Sequence, residues 1–263
     1  MSWIRRNLVI IVGLAVMVYV LLPNLVVIVY SFNKPAGRFN FSFTQFSIDA
    51  WTNPCGTPGI CDSLGLSLQI GVVASLVATV LGTMVAFALG RHRFRGRAAT
   101  NLLIFLPMAT PEVVMGSSLL TLFIALGVPS GRTTILIAHI MFCLSFVVVT
   151  VKARVASLDP RLEEAAADLY AGPVQTFLKV TLPLVAPGIA AGGLLAFSLS
   201  FDDYIITNFN ASPSSVTFPM YVWGAAQRGV PVQINVIGSV MFLGALAIVA
   251  IGQVVSAQRS KAV

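Results

Sequence analysis

The sequence predicts an all-α integral membrane protein with six transmembrane helices, and three observations support this fold class. Hydrophobic residues make up 57% of the 263 residues, whereas only 10% are charged. Water-soluble domains have about 25% charged residues, so this chain lacks the charge needed to cover a soluble surface. Six apolar runs reach the roughly 20 residues that a helix needs to cross a bilayer. The basic residues also collect in alternate loops, as in multi-pass proteins.

The six runs are predicted as spans because their apolar residues continue around the whole helical surface, as lipid contact requires. Their approximate bounds are 8–31, 64–89, 102–127, 133–151, 186–206 and 234–255. The first run follows Arg5 and Arg6 as a signal peptide would, but it is too long and no small-residue cleavage site follows. We therefore expect it to be retained, and residues 1–263 to form a single transmembrane domain.

The distribution of Lys and Arg predicts the orientation. With the N-terminus inside, the inner segments contain Arg5, Arg6, Arg91, Arg93, Arg95, Arg97, Lys152, Arg154, Arg161, Lys179, Arg259 and Lys261. The outer segments contain only Lys34, Arg38, Arg132 and Arg228. Because inner loops of membrane proteins are richer in basic residues, we predict that both termini are cytoplasmic. The positive net charge is then an orientation signal, and nucleic-acid binding is not expected.

This orientation places the first loop outside the cell, where Cys55 and Cys61 lie in a Pro/Gly-rich stretch. In an oxidising compartment, two cysteines at this spacing can close a small loop, so the pair is a disulfide candidate. Cys143 lies inside an apolar run and is interpreted as a small packing residue.

One long inner loop, 152–185, joins the fourth and fifth spans. Asp159 suits an N-cap, Pro160 suits the first helical position, and Gly172 and Pro173 are expected to end a helix of about three turns. Its apolar face has helical spacing and consists of Leu162, Ala165, Ala166 and Leu169. The small alanines permit close approach to another protein. The alternative from these residues alone is an amphipathic helix that rests on the membrane.

The loop resembles the EAA loop of ABC importer permeases, in which Glu-Ala-Ala is followed by Gly, Ile and Leu-Pro at fixed spacings. Here Glu164-Ala165-Ala166, Val180 and Leu182-Pro183 stand at those spacings, whereas Tyr170 occupies the position of the Gly. The resemblance implies a type I ABC importer (MetI-like) permease fold and a coupling helix that docks into an ATPase. The coupling residues that it implies are Glu163, Glu164, Ala165, Ala166, Asp168, Leu169, Gly172, Leu182 and Pro183.

Other segments, spread over nearly the whole chain, resemble spermidine/putrescine permeases of the PotC type. They are Ser31-Phe32-Asn33, Leu106-Pro107, Pro111-Glu112-Val113-Val114, Thr181-Leu182-Pro183-Leu184, the run from Ser198 to Tyr204, and Arg228-Gly229-Val230 with Pro231 and Asn235. This resemblance implies half of a polyamine pathway in a bacterial cell membrane. The implied partners are a second permease (PotB-type), two copies of an ABC ATPase (PotA-type) and an external substrate-binding protein (PotD-type).

The chain itself is expected to be a transport subunit and not an enzyme. No phosphate loop of the form Gly-x-x-x-x-Gly-Lys-Ser/Thr occurs in the sequence. We therefore expect the partner ATPase to bind ATP and Mg, and this chain to hold no cofactor. His92 lies among basic residues at the inner surface and His139 in the fourth span, where it is interpreted as a packed, hydrogen-bonded residue. Neither has a partner that would indicate metal binding or acid–base catalysis.

Three acids, Glu112, Asp202 and Asp203, fall within the predicted spans, and no Lys or Arg accompanies them. Charges inside a bilayer are costly and usually functional, and unbalanced acids suit a cationic substrate. At a rise of 1.5 Å per residue, Glu112 lies about 15 Å and Asp202 about 24 Å along their spans from the inner side. We predict an acidic path near the outer mouth of the pathway.

Structural roles are the alternative for these acids. Thr110-Pro111 before Glu112 resembles a helix start, which would place that carboxylate at the positive end of a helix dipole. Asp202 and Asp203 would then hydrogen-bond to neighbouring helices. Because adjacent residues on a helix point about 100° apart, both are not expected to face the same cavity.

Four aromatic residues accompany the acids in the predicted pathway. Phe201 and Tyr204 flank the acid pair, and Tyr221 and Trp223 stand in the outer loop before the sixth span. Aromatic faces attract ammonium groups. For Tyr221 and Trp223, an interfacial aromatic belt is the alternative.

Two other functions remain open at the level of the sequence. One is the same importer class with a different substrate, such as ferric ion or another small solute. The other is a stand-alone secondary transporter, which would have an inverted repeat with broken helices. We find no such repeat in the sequence.

Overall fold

The computed structural model describes residues 2–261, with side chains described for residues 7–252. Four basic residues used in the orientation count therefore have side chains outside the described residues: Arg5, Arg6, Arg259 and Lys261. The regular secondary structure of the described chain is helical, and its one β feature is an antiparallel bridge between Asn33 and Phe46. The predicted all-α class is confirmed.

Twelve α-helices occur between residues 2 and 261. They are α1 (Ser2–Tyr30), α2 (Asp49–Thr52), α3 (Ile60–Arg91), α4 (Arg97–Ala109), α5 (Glu112–Ala125), α6 (Arg132–Ala156), α7 (Arg161–Asp168), α8 (Pro173–Thr176), α9 (Leu182–Asp202), α10 (Ile205–Asn210), α11 (Phe218–Arg228) and α12 (Val232–Lys261). A π-helical segment, Phe177–Thr181, joins α8 to α9 without a break.

Five helical stretches of the described chain are long and apolar enough to cross a membrane: Asn7–Tyr30, Ile60–Arg91, Arg132–Ala156, Pro173–Asp202 and Val232–Gly252. The helices α4 and α5 meet the same test only as a pair, and they are bent by 107° at their junction. Counting this pair as one broken span gives the six spans that the sequence predicts.

The third predicted span, 102–127, is not one continuous helix, because two residues interrupt it. Thr110 is extended, with ψ of 132°, and Pro111 follows with ψ of 134°. A proline disfavours the helical conformation in the residue before it and contributes no N–H to the helix. The Thr110 N–H and hydroxyl both donate to the Leu106 carbonyl, at 2.9 and 2.7 Å, and so close the end of α4.

The fifth span also differs from its predicted bounds of 186–206. Its helix begins earlier, at Pro173, because the π-helical segment continues directly into α9. It ends at Asp202, since Asp203 is extended with φ of −65° and ψ of 127°. Residues 205 and 206 therefore belong to the separate short helix α10.

The chain folds into two compact units, which are described separately. One unit comprises residues 1–61 and 221–263, and the other comprises residues 62–220. In the first unit α1 packs against α12, where a Cβ at Gly238 would lie 3.5 Å from Val27. Most side chains along the α1 span are exposed and apolar, as expected of a helix that faces lipid.

In the same unit, Asn33 organises the loop that follows α1. Its side chain is 2% exposed and donates to the Asn40 side chain at 2.6 Å and to the Ser42 carbonyl at 2.8 Å. Its carbonyl oxygen accepts from the Thr44 N–H at 2.8 Å. The Ser31-Phe32-Asn33 segment therefore fixes this loop by hydrogen bonds that satisfy buried polar groups.

The three cysteines adopt the states that the sequence suggests. Cys55 and Cys61 form a disulfide, with their Cα atoms 5.4 Å apart. Cys143 is a free thiol and fully buried in α6.

The helix α6 is the centre of the second unit. Seven of its residues have no exposed surface: Thr134, Ile135, Ala138, Cys143, Val147, Val151 and Val155. The helices α3 and α9 approach it through glycines, since a Cβ at Gly82 would meet Val147 at 2.7 Å and one at Gly192 would meet Val147 at 3.5 Å. Small residues at such contacts allow membrane helices to pack closely.

Candidate functional site

The three acids of the predicted path lie at two interruptions of the helices in the second unit. Glu112 is the first residue of α5, whereas Asp202 ends α9 and Asp203 follows it. Glu112 and Asp202 are exposed, but Asp203 is only 8% exposed. The Glu112 carboxylate lies within electrostatic range of both aspartates. The structure thus brings the three acids together and gives them different surroundings.

The buried Asp203 carboxylate is engaged by its own neighbours. One oxygen accepts from the Ile206 N–H at 3.3 Å, and the other accepts from the Thr207 N–H and hydroxyl, both at 2.8 Å. The second oxygen also lies 3.3 Å from Nε2 of His139. This carboxylate therefore caps the first turn of α10, where the backbone N–H groups lack helical partners.

His139 joins three helices of the second unit and is 1% exposed. Its Nδ1 lies 2.7 Å from the Ser200 hydroxyl of α9, and its Nε2 lies 2.9 Å from the Thr207 hydroxyl of α10. The prediction of a packed, hydrogen-bonded histidine is confirmed. Together with Asp203, this residue fixes the end of α9 and the start of α10 against α6.

The break before α5 allows that helix to pack closely on α10. A Cβ at Gly116 would lie 3.3 Å from the Cα of Ile206 and 2.9 Å from the Phe209 ring. The Asn210 side chain donates to the Gly116 carbonyl at 3.5 Å and to the Ile206 carbonyl at 2.8 Å. The contact places the start of α5, with Glu112, in the same region as the end of α9.

Two of the predicted pathway aromatics accompany the acids. Phe201 is partly buried and stacks on Phe197, with ring centroids 5.9 Å apart, while the Phe218 ring lies 6.5 Å away. Tyr204 is partly buried, and in the sequence it lies between Asp203 and the first residue of α10. Phe201 is thus part of an aromatic packing cluster as well as a neighbour of Asp202.

The other two aromatics, Tyr221 and Trp223, belong to the first unit. Tyr221 lies beside the disulfide loop, since its ring is 3.7 Å from where a Cβ at Gly59 would be. Partial burial raises the pKa of the Tyr221 phenol above its ordinary value of 10.0, so this group stays neutral. Trp223 is 56% exposed. Tyr221 and Trp223 therefore belong to a different unit from the three acids.

The loop helix α7 is shorter than predicted, because it ends at Asp168 and not at Gly172. The N-cap of α7 is Pro160 and not Asp159 as predicted, but an Asp159 carboxylate oxygen accepts from the Arg161 N–H at 3.0 Å and so satisfies the first N–H group of the helix. Gly172 has φ of −70°, so it does not reverse the chain. The left-handed residue that ends the helix is Tyr170, with φ of 59°.

Tyr170 occupies the position that glycine most often takes after a helix. Its N–H donates to the Ala167 carbonyl at 2.9 Å, and the Ala171 N–H donates to the Ala166 carbonyl at 3.0 Å. This pair of hydrogen bonds is the Schellman motif. The glycine of the EAA pattern would suit this left-handed conformation, and this chain adopts the conformation with a tyrosine.

The nine predicted coupling residues have three kinds of surroundings. The exposed ones are Glu164, Ala165, Asp168, Leu169, Gly172 and Pro183. Glu163 and Leu182 are partly buried, and Ala166 is buried. The exposed set lies on the surface of the described chain, whereas the others are packed within their own unit.

Glu163 makes contacts that the sequence did not indicate. Its Oε1 lies 3.1 Å from the Arg91 guanidinium at the end of α3, and it accepts from the Thr181 hydroxyl at 3.0 Å. From the sequence alone, Arg91 indicates only the orientation of the chain. Neither residue type nor spacing indicates this pairing, since α3 and α7 are distant in sequence.

No group of three or more His, Cys, Asp or Glu side chains that could hold a metal ion occurs among the described residues.

Residues 78–259 match the protein family of binding-protein-dependent transport system inner membrane components. The chain belongs to this family. It is 34% identical to the spermidine/putrescine transport system permease protein PotC of Escherichia coli (strain K12), over 94% of this chain and 93% of that protein. It is 38% identical to the putrescine transport system permease protein PotI of the same strain, over 86% of this chain and 82% of that protein.

Solved structures of this architecture are similar over nearly the whole chain. A crystal structure of a bacterial ABC transporter involved in the import of alginate covers 96% of this chain and 97% of its own, with a TM-score of 0.66 and 19% identity. A second structure of a bacterial alginate transporter, in complex with a periplasmic protein, has the same TM-score with 14% identity. The predicted ABC importer permease fold is confirmed, and the chain is a multi-pass permease component.

Proposed function

We propose that this permease forms half of the translocation pathway of an ATP-driven importer for polyamines, spermidine or putrescine. A second permease chain supplies the other half, two ATPase subunits supply the energy, and an external binding protein delivers the substrate. The ATPase subunits bind ATP and Mg. The names and the similarity of the PotC and PotI relatives support this substrate class.

The observation that carries the proposal is the pair of exposed acids, Glu112 and Asp202. They lie within electrostatic range of each other, and no Lys or Arg occurs in α5, α9 or α10. Exposed and unneutralised carboxylates are costly at a membrane-spanning site unless a cation or water meets them. A polyamine carries several ammonium groups on a flexible chain, so it can reach both acids. The family membership itself disfavours the stand-alone secondary transporter.

In this proposal, Asp203 has a structural role in the pathway wall. Its hydrogen bonds to α10 and its contact with His139 hold the helix end that presents Asp202. The ring of Phe201 lies beside Asp202 in the chain, and its face can attract an ammonium group. Tyr204, Tyr221 and Trp223 remain candidate pathway residues.

Transport follows from alternating access. The exposed residues of α7 dock into an ATPase subunit on the cytoplasmic side, and closure of the ATPase dimer moves α7 with the helices attached to it. Both termini are cytoplasmic in the bacterial cell membrane, and the disulfide loop faces outward. The surplus of basic residues in the segments assigned to the inner side supports this orientation.

The proposal is tested by uptake of radiolabelled spermidine into proteoliposomes that contain the complete importer with its binding protein. We expect Glu112→Gln and Asp202→Asn each to reduce ATP-dependent uptake by at least tenfold. Loss of one interaction with a charged group corresponds to about 1.5–3 kcal/mol, or roughly one to two orders of magnitude. The ATPase activity and the assembly of the complex are measured in parallel.

Asp62→Asn is the matched control, because Asp62 is an exposed acid in the first turn of α3, outside the predicted pathway. This variant is expected to transport as the unsubstituted complex does. Unchanged uptake in both test variants would contradict a pathway role for the acids. A complex that imports no spermidine, yet whose ATPase responds to another loaded binding protein, would contradict the polyamine substrate and leave the importer class standing.

A further inference from the structure

Glu163 and Glu164 are adjacent acids in the first turn of α7, but they face different surroundings. Glu164 is exposed, and the structure shows no ion pair for it among the described residues. Glu163 is turned toward its own unit, with 37% of its side chain exposed. A role in docking to a partner therefore suits Glu164, whereas Glu163 is already occupied within the chain.

The first contact of Glu163 is with the cytoplasmic end of α3. Its Oε1 lies 3.1 Å from the terminal guanidinium nitrogen of Arg91, whose side chain is 21% exposed. An ion pair that is partly shielded from water is weakened less by salt than a pair on the open surface. Because Arg91 is the last residue of α3, this ion pair links α7 to the end of that membrane helix.

The second contact of Glu163 is with the π-helical segment that leads into α9. The Thr181 hydroxyl donates to Oε1 at 3.0 Å, and Thr181 is 4% exposed. Beside it, the Phe177 ring of the π-helical segment meets the Phe87 ring of α3 edge to face, with centroids 5.3 Å apart. π-helical turns are rare and are found frequently at functional sites.

One carboxylate oxygen thus joins three elements: α7, the end of α3 and the start of the α9 span. Glu163, Arg91 and Thr181 line an open cavity of about 820 Å³, and His92 and Ala167 line it as well. Open space beside this junction leaves room for α7 to move relative to α3 without unfolding a packed core.

We infer that Glu163 is a positioning residue that transmits movement of α7 to α3 and α9 through its contacts with Arg91 and Thr181. This inference rests on the proposed function of α7 as the helix that docks to the ATPase. In this inference, Glu163 acts within the chain, and the exposed residues of α7 contact the ATPase. The property that it governs is the amount of substrate imported for each ATP hydrolysed.

The test measures substrate imported per ATP hydrolysed by the complete importer in proteoliposomes. The variants are Glu163→Gln, Arg91→Glu, Glu163→Arg and the double charge exchange Arg91→Glu with Glu163→Arg. Each single variant is expected to lower the ratio at least fivefold, while the ATPase subunits still co-purify. The double exchange is expected to recover at least half of the original ratio, since it restores an ion pair between the same positions.

Two comparisons separate this role from docking and from general charge effects. Arg93→Glu makes the same change of charge near Arg91 at an exposed position and is expected to leave the ratio unchanged. Glu164→Gln is expected to weaken co-purification of the ATPase, which Glu163→Gln does not do. Glu163→Gln preserves side-chain size and the acceptor for Thr181, so it reports on the charge alone.

The inference is overturned if the single variants keep the original ratio, or if they lower it and the charge exchange does not restore it. Loss of ATPase co-purification in Glu163→Gln would also overturn it, because Glu163 would then belong to the docking surface. The ratio does not depend on which solute is carried. A different substrate would change the proposed function without affecting this comparison.

Discussion

Asp202 and Asp203 are neighbours in the chain, and the backbone at the end of α9 gives them opposite environments. The extended conformation of Asp203 turns its carboxylate onto the N–H groups of α10 and toward His139, and leaves Asp202 exposed. Helical geometry predicted that the two would diverge. Which acid is buried depends on His139 of α6, a contact between residues far apart in sequence.

Tyr170 is the residue at which a local change should stabilise the fold. A left-handed backbone costs a residue with a Cβ about 1–2 kcal/mol, whereas glycine adopts it freely. The side chain is 98% exposed, so its removal forfeits little packing. Glycine also adds conformational entropy to the unfolded chain, and this offsets part of the gain. We therefore expect Tyr170→Gly to raise the melting temperature of the purified permease by about 1–3 °C.

The control for this prediction is Tyr170→Ala, which removes the ring but keeps the Cβ. Thermal unfolding in one detergent is expected to give Tyr170→Ala the melting temperature of the original chain. If the alanine variant gains as much as the glycine variant, the ring and not the backbone is the source of the strain.

At the scale of elements, hydropathy located the helices and missed their interruptions. The sequence contains Thr110 and Pro111, and their resemblance to a helix start was recognised, but the 107° bend was not predicted. The bend depends on the packing of Gly116 against α10, which lies elsewhere in the sequence. The early start of the fifth helical span was missed because Lys179 and Thr181 reduce local hydropathy, although they continue the helix.

The contact between α3 and α6 depends on Gly82. A Cβ there would lie 2.7 Å from Val147 Cγ1 and 2.9 Å from Val147 Cβ, which is closer than real contacts allow. Overpacking of this kind costs about 1–3 kcal/mol. We expect Gly82→Ala to lower the melting temperature of the purified permease, as measured by thermal unfolding in detergent.

Gly65→Ala provides the comparison within the same helix, because nothing lies within 4 Å of a Cβ at that position. Alanine is favoured over glycine in a helix by about 0.5–1 kcal/mol, so this variant should unfold at the same temperature or slightly higher. Equal destabilisation by both substitutions would show that the close approach at Gly82 is not a feature of the folded protein.

At the scale of the whole molecule, the sequence predicted the class and the family more completely than the geometry of the site. Composition and apolar runs are sufficient to predict a multi-pass helical protein. The motif spacing from Glu164 to Pro183 is sufficient to predict an importer permease. The Schellman turn at Tyr170 and the junction at Glu163 follow from tertiary contacts and backbone conformation, which motif spacing does not specify.

The orientation of the chain is a prediction for the whole molecule. In spheroplasts, a membrane-impermeant maleimide should label Ala36→Cys, in the loop after α1, without permeabilisation. It should label His92→Cys, in the loop after α3, only after permeabilisation. Both positions are exposed, the native Cys143 is buried, and the other two cysteines form a disulfide.

Labelling of the unsubstituted chain sets the background for this experiment. The reverse pattern, with His92→Cys labelled in intact spheroplasts and Ala36→Cys protected, would place the termini outside. It would also move α7 away from any cytoplasmic ATPase.

The bend between α4 and α5 has a consequence for the biogenesis of the protein. A ribosome completes residues 97–125 well before it makes α10, the helix on which α5 packs through Gly116. Backbone groups at an interruption are tolerated at membrane depth only where protein or water surrounds them. The newly inserted segment therefore has no partner that favours the bend, and its folded shape is reached only after α10 has entered the membrane. Truncations that end before α10 should insert this segment and leave its bend unformed.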